Sequence, residues 1–253
     1  MFFPRSACAK INPITVIRQP ISNGKTHKIA IPNPRTMTTS AQDAKKLLRK
    51  EIKIRLSRLS ESEITKQSQL AQQAILNHEA YKRASSLSIY LSMPASEAQT
   101  DLLVKDALGS GKKVFVPFLY SPSQGNPPPT GGKKRKVMDL LRLESVAEYE
   151  GLGRDAWGIP SLSKDGVEVK ENVMGGKGLT LAGDGATKEG NESGALDLVV
   201  VPAVAFDAQM NRLGHGAGFY DEFLTRFCQD GGRKKPYLGR FPSPFHVLVL
   251  AHC

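Results

Sequence analysis

Residues 196–227, LDLVVVPAVAFDAQMNRLGHGAGFYDEFLTRF, constrain the fold more than any other stretch, because three patterns follow one another in it. Leu196, Leu198, Val199, Val200 and Val201 form a nearly unbroken apolar run ended by Pro202, which predicts a short strand buried on both faces. Gly214, Gly216 and Gly218 then alternate, so the backbone can take positive φ and a ligand can approach the amides without meeting a Cβ. Phe219, Phe223 and Phe227 recur every four residues between Asp221, Glu222 and Arg226, predicting an amphipathic helix from about Gly218. A helix N-terminus fed by a glycine loop from a strand end presents free N–H groups and a partial positive charge, which suits a phosphate. Glycines in such a turn also serve packing, and the loop is not a G-x-G-x-x-G fingerprint. The GGKGLT at 175–180 has Gly178 after Lys177 and no strand leading into it. The residues alone therefore reach an anion site and stop there.

Upstream, the pattern alternates helix and strand. Ala44, Leu48, Ile52, Leu56 and Leu59 share one helical face, and Lys45, Lys46, Arg49, Lys50, Lys53 and Arg55 lie largely elsewhere. Ser60 and Glu63 make a capping box for a second helix bearing Ile64, Ala71, Ala74 and Ile75. Leu87, Ile89 and Leu91 alternate with serines and predict a strand from about 86 to 92. A loop, MPASEAQ, then leads to Thr100 as N-cap of a helix carrying Leu102, Leu103, Val104, Ala107 and Leu108, stopped by Gly109 and Gly111. Val114–Val116 is the next strand and Val137–Leu143 another. Strand, helix, strand at this spacing is a right-handed parallel crossover, with ligands gathered at the carboxyl ends of strands. The expectation is an α/β fold: a Rossmann-like, mainly parallel sheet flanked by helices in a single domain over 41–251.

Charge narrows the partner class. Of a net +11, residues 1–42 contribute +6 and residues 121–136 contribute +4, both without acids, so the body is almost neutral. Such a body does not cover phosphates over one broad face, so no nucleic-acid partner is expected. With no apolar run near the roughly 18 residues that span a bilayer, no membrane partner is expected either, and the chain reads as a soluble monomer. Cys8, Cys228 and Cys253 are odd in number and far apart, which indicates neither a disulfide framework nor a zinc site. Residues 1–40 read as a disordered or transit-like extension outside the fold. Their lack of acids and spaced Arg and Lys match an organellar transit peptide, and Met37 is the competing start. The location is mitochondrial if residues 1–36 are translated and cytoplasmic otherwise. Residues 120–136 and 163–194, rich in Pro and Gly or mixed in charge, read as low-complexity, flexible insertions.

The run NRLGHGAGFYD, preceded by a V-P-x-x-A-F-D-like segment at Val201–Asp207, closely resembles the signature loop of the 5-formyltetrahydrofolate cyclo-ligase family. The similarity extends in order through AKKLLRKEIKIRL at 44–56, LSIYLSMPASEAQT at 87–100, GKKVFVPFL at 111–119, MDLLRLES at 138–145 and WGIP at 157–160. The resemblance implies ATP as co-substrate, Mg²⁺, and conversion of 5-formyltetrahydrofolate to 5,10-methenyltetrahydrofolate. It implies that Lys45, Lys46, Arg49, Arg212, Leu213, Gly214, His215, Gly216, Ala217, Gly218, Phe219 and Tyr220 bind ATP. It assigns the folate to Leu91, Glu97, Trp157 and residues 215–219 (His215, Gly216, Ala217, Gly218, Phe219), catalysis to Arg212 and His215, and the metal to Asp221.

Two departures motivate an alternative, a catalytically impaired folate- or nucleotide-binding protein of the same fold. Ala217 stands where the loop often has lysine. After PYL at 236–238, GRFPSPFHVLVLAHC replaces an acidic segment whose aspartate helps bind metal. Val247–Ala251 is expected to supply the last strand, with an unpaired apolar edge near Val247–Leu250.

Overall fold

The apolar run at 196–201 does become a central strand, and alternation along it divides the protein into two layers. The computed structural model describes residues 40–94, 97–122, 136–180, 195–207, 211–229, 237–240 and 247–251, with Gln229 and the last two ranges described by backbone alone. Residues 1–39, 123–135 and 181–194, which hold most of the predicted N-terminal extension and parts of both insertions, lie outside them.

In chain order the helices are α1 Ala41–Leu56, α2 Glu61–Leu76, α3 Glu79–Arg83, α4 Asp101–Gly109, α5 Val146–Glu150 and α6 Phe219–Gln229. The strands are β1 Ser86–Ile89, β2 Lys113–Tyr120, β3 Val137–Leu143, β4 Gly153–Arg154, β5 Pro160–Ser161, β6 Leu198–Pro202, β7 Ala205–Phe206, β8 Arg212–Leu213, β9 Tyr237–Arg240 and β10 Val247–Ala251. One six-stranded sheet runs in the order β3-β2-β1-β6-β10-β9, and β4-β5 and β7-β8 are small separate pairs.

β1 is parallel to both β2 and β6, as the crossover predicts, while β3, β10 and β9 join antiparallel to their neighbours. Four of the six strands thus run one way, a mixed, mostly parallel sheet flanked by helices. The predicted bare edge at Val247–Leu250 is corrected: β9 pairs with β10 from Leu248↔Arg240 to Ala251↔Tyr237, so β10 is an interior strand.

Side chains obey the period of two. Leu87, Ile89, Val114, Val116, Leu141, Leu143, Leu198 and Val200 join one core with Ile64 and Ile75 of α2 and Leu103 and Val104 of α4. Phe115, Met138, Leu140, Val199 and Val201 point the other way, where Phe223 and Phe227 of α6 meet them. Those two phenylalanines are 0% and 2% exposed, each such burial stabilising by about 1.5–3 kcal/mol. α6 is therefore fixed on its face of the sheet, and its N-terminal end is carried to the carboxyl edge of β6.

Three expectations need correcting. α1 has no buried residue: Leu48 is 44% exposed, and Leu56 and Leu59 alone of the predicted face pack partly against the core. β1 ends at Ile89 rather than Ser92: Thr100, the N-cap residue of α4 as read, gives no side-chain cap and instead donates from Oγ1 to Tyr90 O at 2.8 Å, taking an acceptor a longer strand would use.

Third, residues 170–180, within the segment read as a flexible insertion, are largely packed. Val173 is fully buried, and Asn172 Nδ2 and Thr180 N and Oγ1 donate to Asp139, a carboxylate with 0% exposure. Tyr120 and Arg226 of α6 complete the cluster. Mixed charge concealed this, since the partners of the polar residues lie 33 to 41 positions away.

Candidate functional site

The chain leaves β6 at Pro202, passes through the β7-β8 pair and reaches α6 across Gly214–Gly218. Arg212, at the start of β8, donates from Nη1 to Pro202 O at 3.0 Å and from Nη2 to Asp221 Oδ1, and its guanidinium lies over the Tyr220 ring. The fork is thus held by the strand end on one side and the first turn of α6 on the other. Gly218 O accepts from Glu222 N at 2.9 Å, which starts the helix and leaves the preceding amides outside the helical ladder.

Glycine is required here for two reasons. Gly216 has φ +105°, and a Cβ on it would lie 3.3 Å from Arg49 Cζ. At Gly214 a Cβ would come within 2.9 Å of Arg212 Nη1. Two guanidinium groups can lie against the loop only because it is bare. Gly216→Ala is expected to lower nucleotide affinity by tenfold or more, since left-handed strain costs about 1–3 kcal/mol and Arg49 must also move; isothermal titration with an ATP analogue checks it.

A cavity of about 260 Å³ is lined by Lys45, Arg49 and Pro202 together with residues 212–221. Arg49 Nε donates to Gly214 O at 2.7 Å, tying exposed α1 to the loop. Lys45, one turn earlier, shares this wall, whereas Lys46, about 100° further round the helix, does not line the cavity. Asp221, 73% exposed, is the single carboxylate in the wall among the described residues. These residues also contain no group of three or more His, Cys, Asp or Glu able to hold a metal ion. A lone exposed carboxylate beside a loop that suits phosphate is compatible with Mg²⁺, an ion that keeps several waters and can take further oxygens from phosphate.

On the other side of the loop, His215 Nε2 lies 2.9 Å from Glu97 Oε1, and Glu97 Oε2 accepts from Met93 N at 2.8 Å. Glu97 is nearly buried at 11% exposure and His215 is half exposed at 50%. The predicted phosphate loop and the predicted folate carboxylate are therefore in direct contact. Tyr220, which the sequence offered only as part of the loop, adds a buried phenol with no hydrogen-bond partner among the described residues. Burial, reinforced by the Glu97 charge, holds its pKa well above the usual phenol range, so the phenol stays protonated and keeps its O–H to donate.

Trp157 is 61% exposed, which removes the ordinary reading of a lone tryptophan as core. Its turn is rigid: Asp155 Oδ1 accepts from Trp157 N and Ile159 N, each at 2.9 Å, and Gly158, φ +78°, packs its Cα side against Pro94, three residues before Glu97. An exposed indole on a fixed turn is a stacking surface. Asp155 was missed because an Asx turn is recognisable only once the Gly158 conformation is seen. Leu91, by contrast, is 6% exposed within the core, beneath this region rather than open to it.

The 5-formyltetrahydrofolate cyclo-ligase family profile matches residues 41–239. The 5-formyltetrahydrofolate cyclo-ligase of Mus musculus is 32% identical over 198 residues, covering 78% of this chain and 81% of the mouse protein. That of Saccharomyces cerevisiae is 27% identical over 195 residues, covering 77% of this chain and 82% of the yeast protein. The NMR structure of Aquifex aeolicus 5,10-methenyltetrahydrofolate synthetase aligns over 72% of each chain at 24% identity, with a TM-score of 0.48.

Proposed function

The chain belongs to the 5-formyltetrahydrofolate cyclo-ligase family, and we propose that it is the ATP- and Mg²⁺-dependent ligase that closes 5-formyltetrahydrofolate to 5,10-methenyltetrahydrofolate, releasing ADP and phosphate. The observation that carries this reading is the meeting of two different sites at one 2.9 Å contact, His215 Nε2 to Glu97 Oε1. A cationic glycine loop that suits phosphates touches, through His215, a nearly buried acceptor, Glu97, beside an exposed tryptophan.

The chemistry follows from a poor leaving group. The formyl oxygen attacks the γ-phosphorus of ATP, the bond to the bridging oxygen breaks and ADP leaves. N10 then attacks the formyl carbon, its proton is lost, and the former carbonyl C–O bond breaks with departure of phosphate. Little covalent work falls to the protein, which positions the two molecules and neutralises charge. Arg212, Lys45, Arg49 and the amides at the start of α6 receive the triphosphate, and Glu97 accepts hydrogen bonds from the pterin, with Trp157 stacked against it. Asp221 would hold Mg²⁺, which supplies charge neutralisation on the phosphates when bound.

A spectrophotometric assay for methenyl product, run with ATP and Mg²⁺, tests the reading. Product is expected only when both are present, and its absence together with intact folate and nucleotide binding would instead support the impaired-binder reading that Ala217 favours. Ala217→Lys restores one charge-assisted contact of about 1.5–3 kcal/mol. It is expected to tighten ATP binding by about tenfold to a hundredfold, read as a fall in the KM for ATP.

A further inference from the structure

We infer that His215 couples the two substrates: folate and nucleotide each bind more tightly when the other is present, because both must open the same His215–Glu97 contact. The inference rests on the functional reading above for the identity of the two ligands. The contact joins the loop after β1 to the glycine loop, at 2.9 Å between Nε2 and Oε1.

His215 Nε2 has two claimants. In the ligand-free protein it lies against Glu97, whose other oxygen is already held by Met93 N. To reach a phosphate on the loop, His215 must give that contact up. A pterin taking Oε1 displaces the imidazole from Glu97. Whichever ligand arrives first opens the contact, and the second binds without that cost.

Neither flank of the loop can absorb the change. Gly214 is anchored to α1 through Arg49, and a rigid helix begins at Phe219. His215 itself is half exposed, so it is free to swing out, whereas Glu97 at 11% exposure is not. Movement therefore falls on His215. Coupling of this origin sits at the low end of the usual range, about fivefold.

The test is calorimetric titration of the full chain with a non-hydrolysable ATP analogue and Mg²⁺, with and without saturating 5-formyltetrahydrofolate, followed by the reverse titration. Linkage requires the same factor in both directions. The expected result is a gain of about fivefold each way, erased in His215→Leu and partly kept in His215→Gln, whose amide still offers a donor.

Independent binding of the two ligands to the unsubstituted protein, or coupling undiminished in His215→Leu, overturns the inference while leaving the functional reading intact. Failure of 5-formyltetrahydrofolate to bind at all overturns the functional reading and the coupling with it. The two failures are thus distinguishable.

Discussion

Replacing Arg212 by glutamine is expected to cost about a thousandfold in kcat, the low end for loss of an arginine that stabilises a transferring phosphoryl group. The geometry explains why no neighbour can compensate. One Nη is committed to Pro202 O and the other to Asp221, so the fork is already oriented in the ligand-free protein. Lys45 and Arg49 reach the cavity from a helix with no buried residue, and they lack that fixed aim. Arg212→Lys keeps the charge and loses the fork, so a smaller but still large defect is expected. Because Arg212 also lies over the Tyr220 ring, the melting temperature should fall by a few degrees only. A loss under tenfold in Arg212→Gln would remove Arg212 from the phosphoryl-transfer site.

Asp139→Ala is expected to lower stability by about 3–5 kcal/mol, a large share of what a domain of this kind possesses. Asp139 is fully buried and accepts from Tyr120, Asn172, Thr180 and Arg226. Among the described residues, Arg226 already has Nε and Nη1 buried without a hydrogen-bond partner, so deleting the carboxylate removes the ion-pair partner of a largely buried cation. The same residue docks α6 through Met138 O at 2.5 Å, so the site is carried by this network although it lies well away from it. Urea unfolding, with midpoint and slope compared, measures the loss. A change below 1 kcal/mol would mean that the cluster fills space without holding the layers together.

Legibility of the sequence followed the range of the interactions. Strand β6 and helix α6 were readable because their signals are local: an apolar run, a glycine alternation and phenylalanines four apart. The same holds for β1, β2 and α4, whose spacing implies the parallel crossover that the pairing registers bear out.

What stayed hidden depends on distant partners. α1 has an apolar stripe by pattern, yet it is attached to the loop chiefly by Arg49, 165 residues before its acceptor. The packed segment at 170–180 looks like solvent-facing loop until Asp139 is placed beneath it. The direct contact between His215 and Glu97 could not be read from the residues alone, each of which looks like an ordinary surface residue, although the resemblance placed both at the folate. Asp221 was assigned to a metal by resemblance, and its present partner, Arg212, is a contact that spacing could not foretell.

The most direct measurement follows the oxygen. The account routes the formyl oxygen of 5-formyltetrahydrofolate onto the γ-phosphorus of ATP, so substrate labelled there with heavy-isotope oxygen should yield inorganic phosphate carrying one labelled atom per methenyl product, seen by mass spectrometry of the phosphate. Label found in water, with unlabelled phosphate formed at the same rate, would contradict phosphoryl activation of the formyl group and with it the role given to the Arg212 loop.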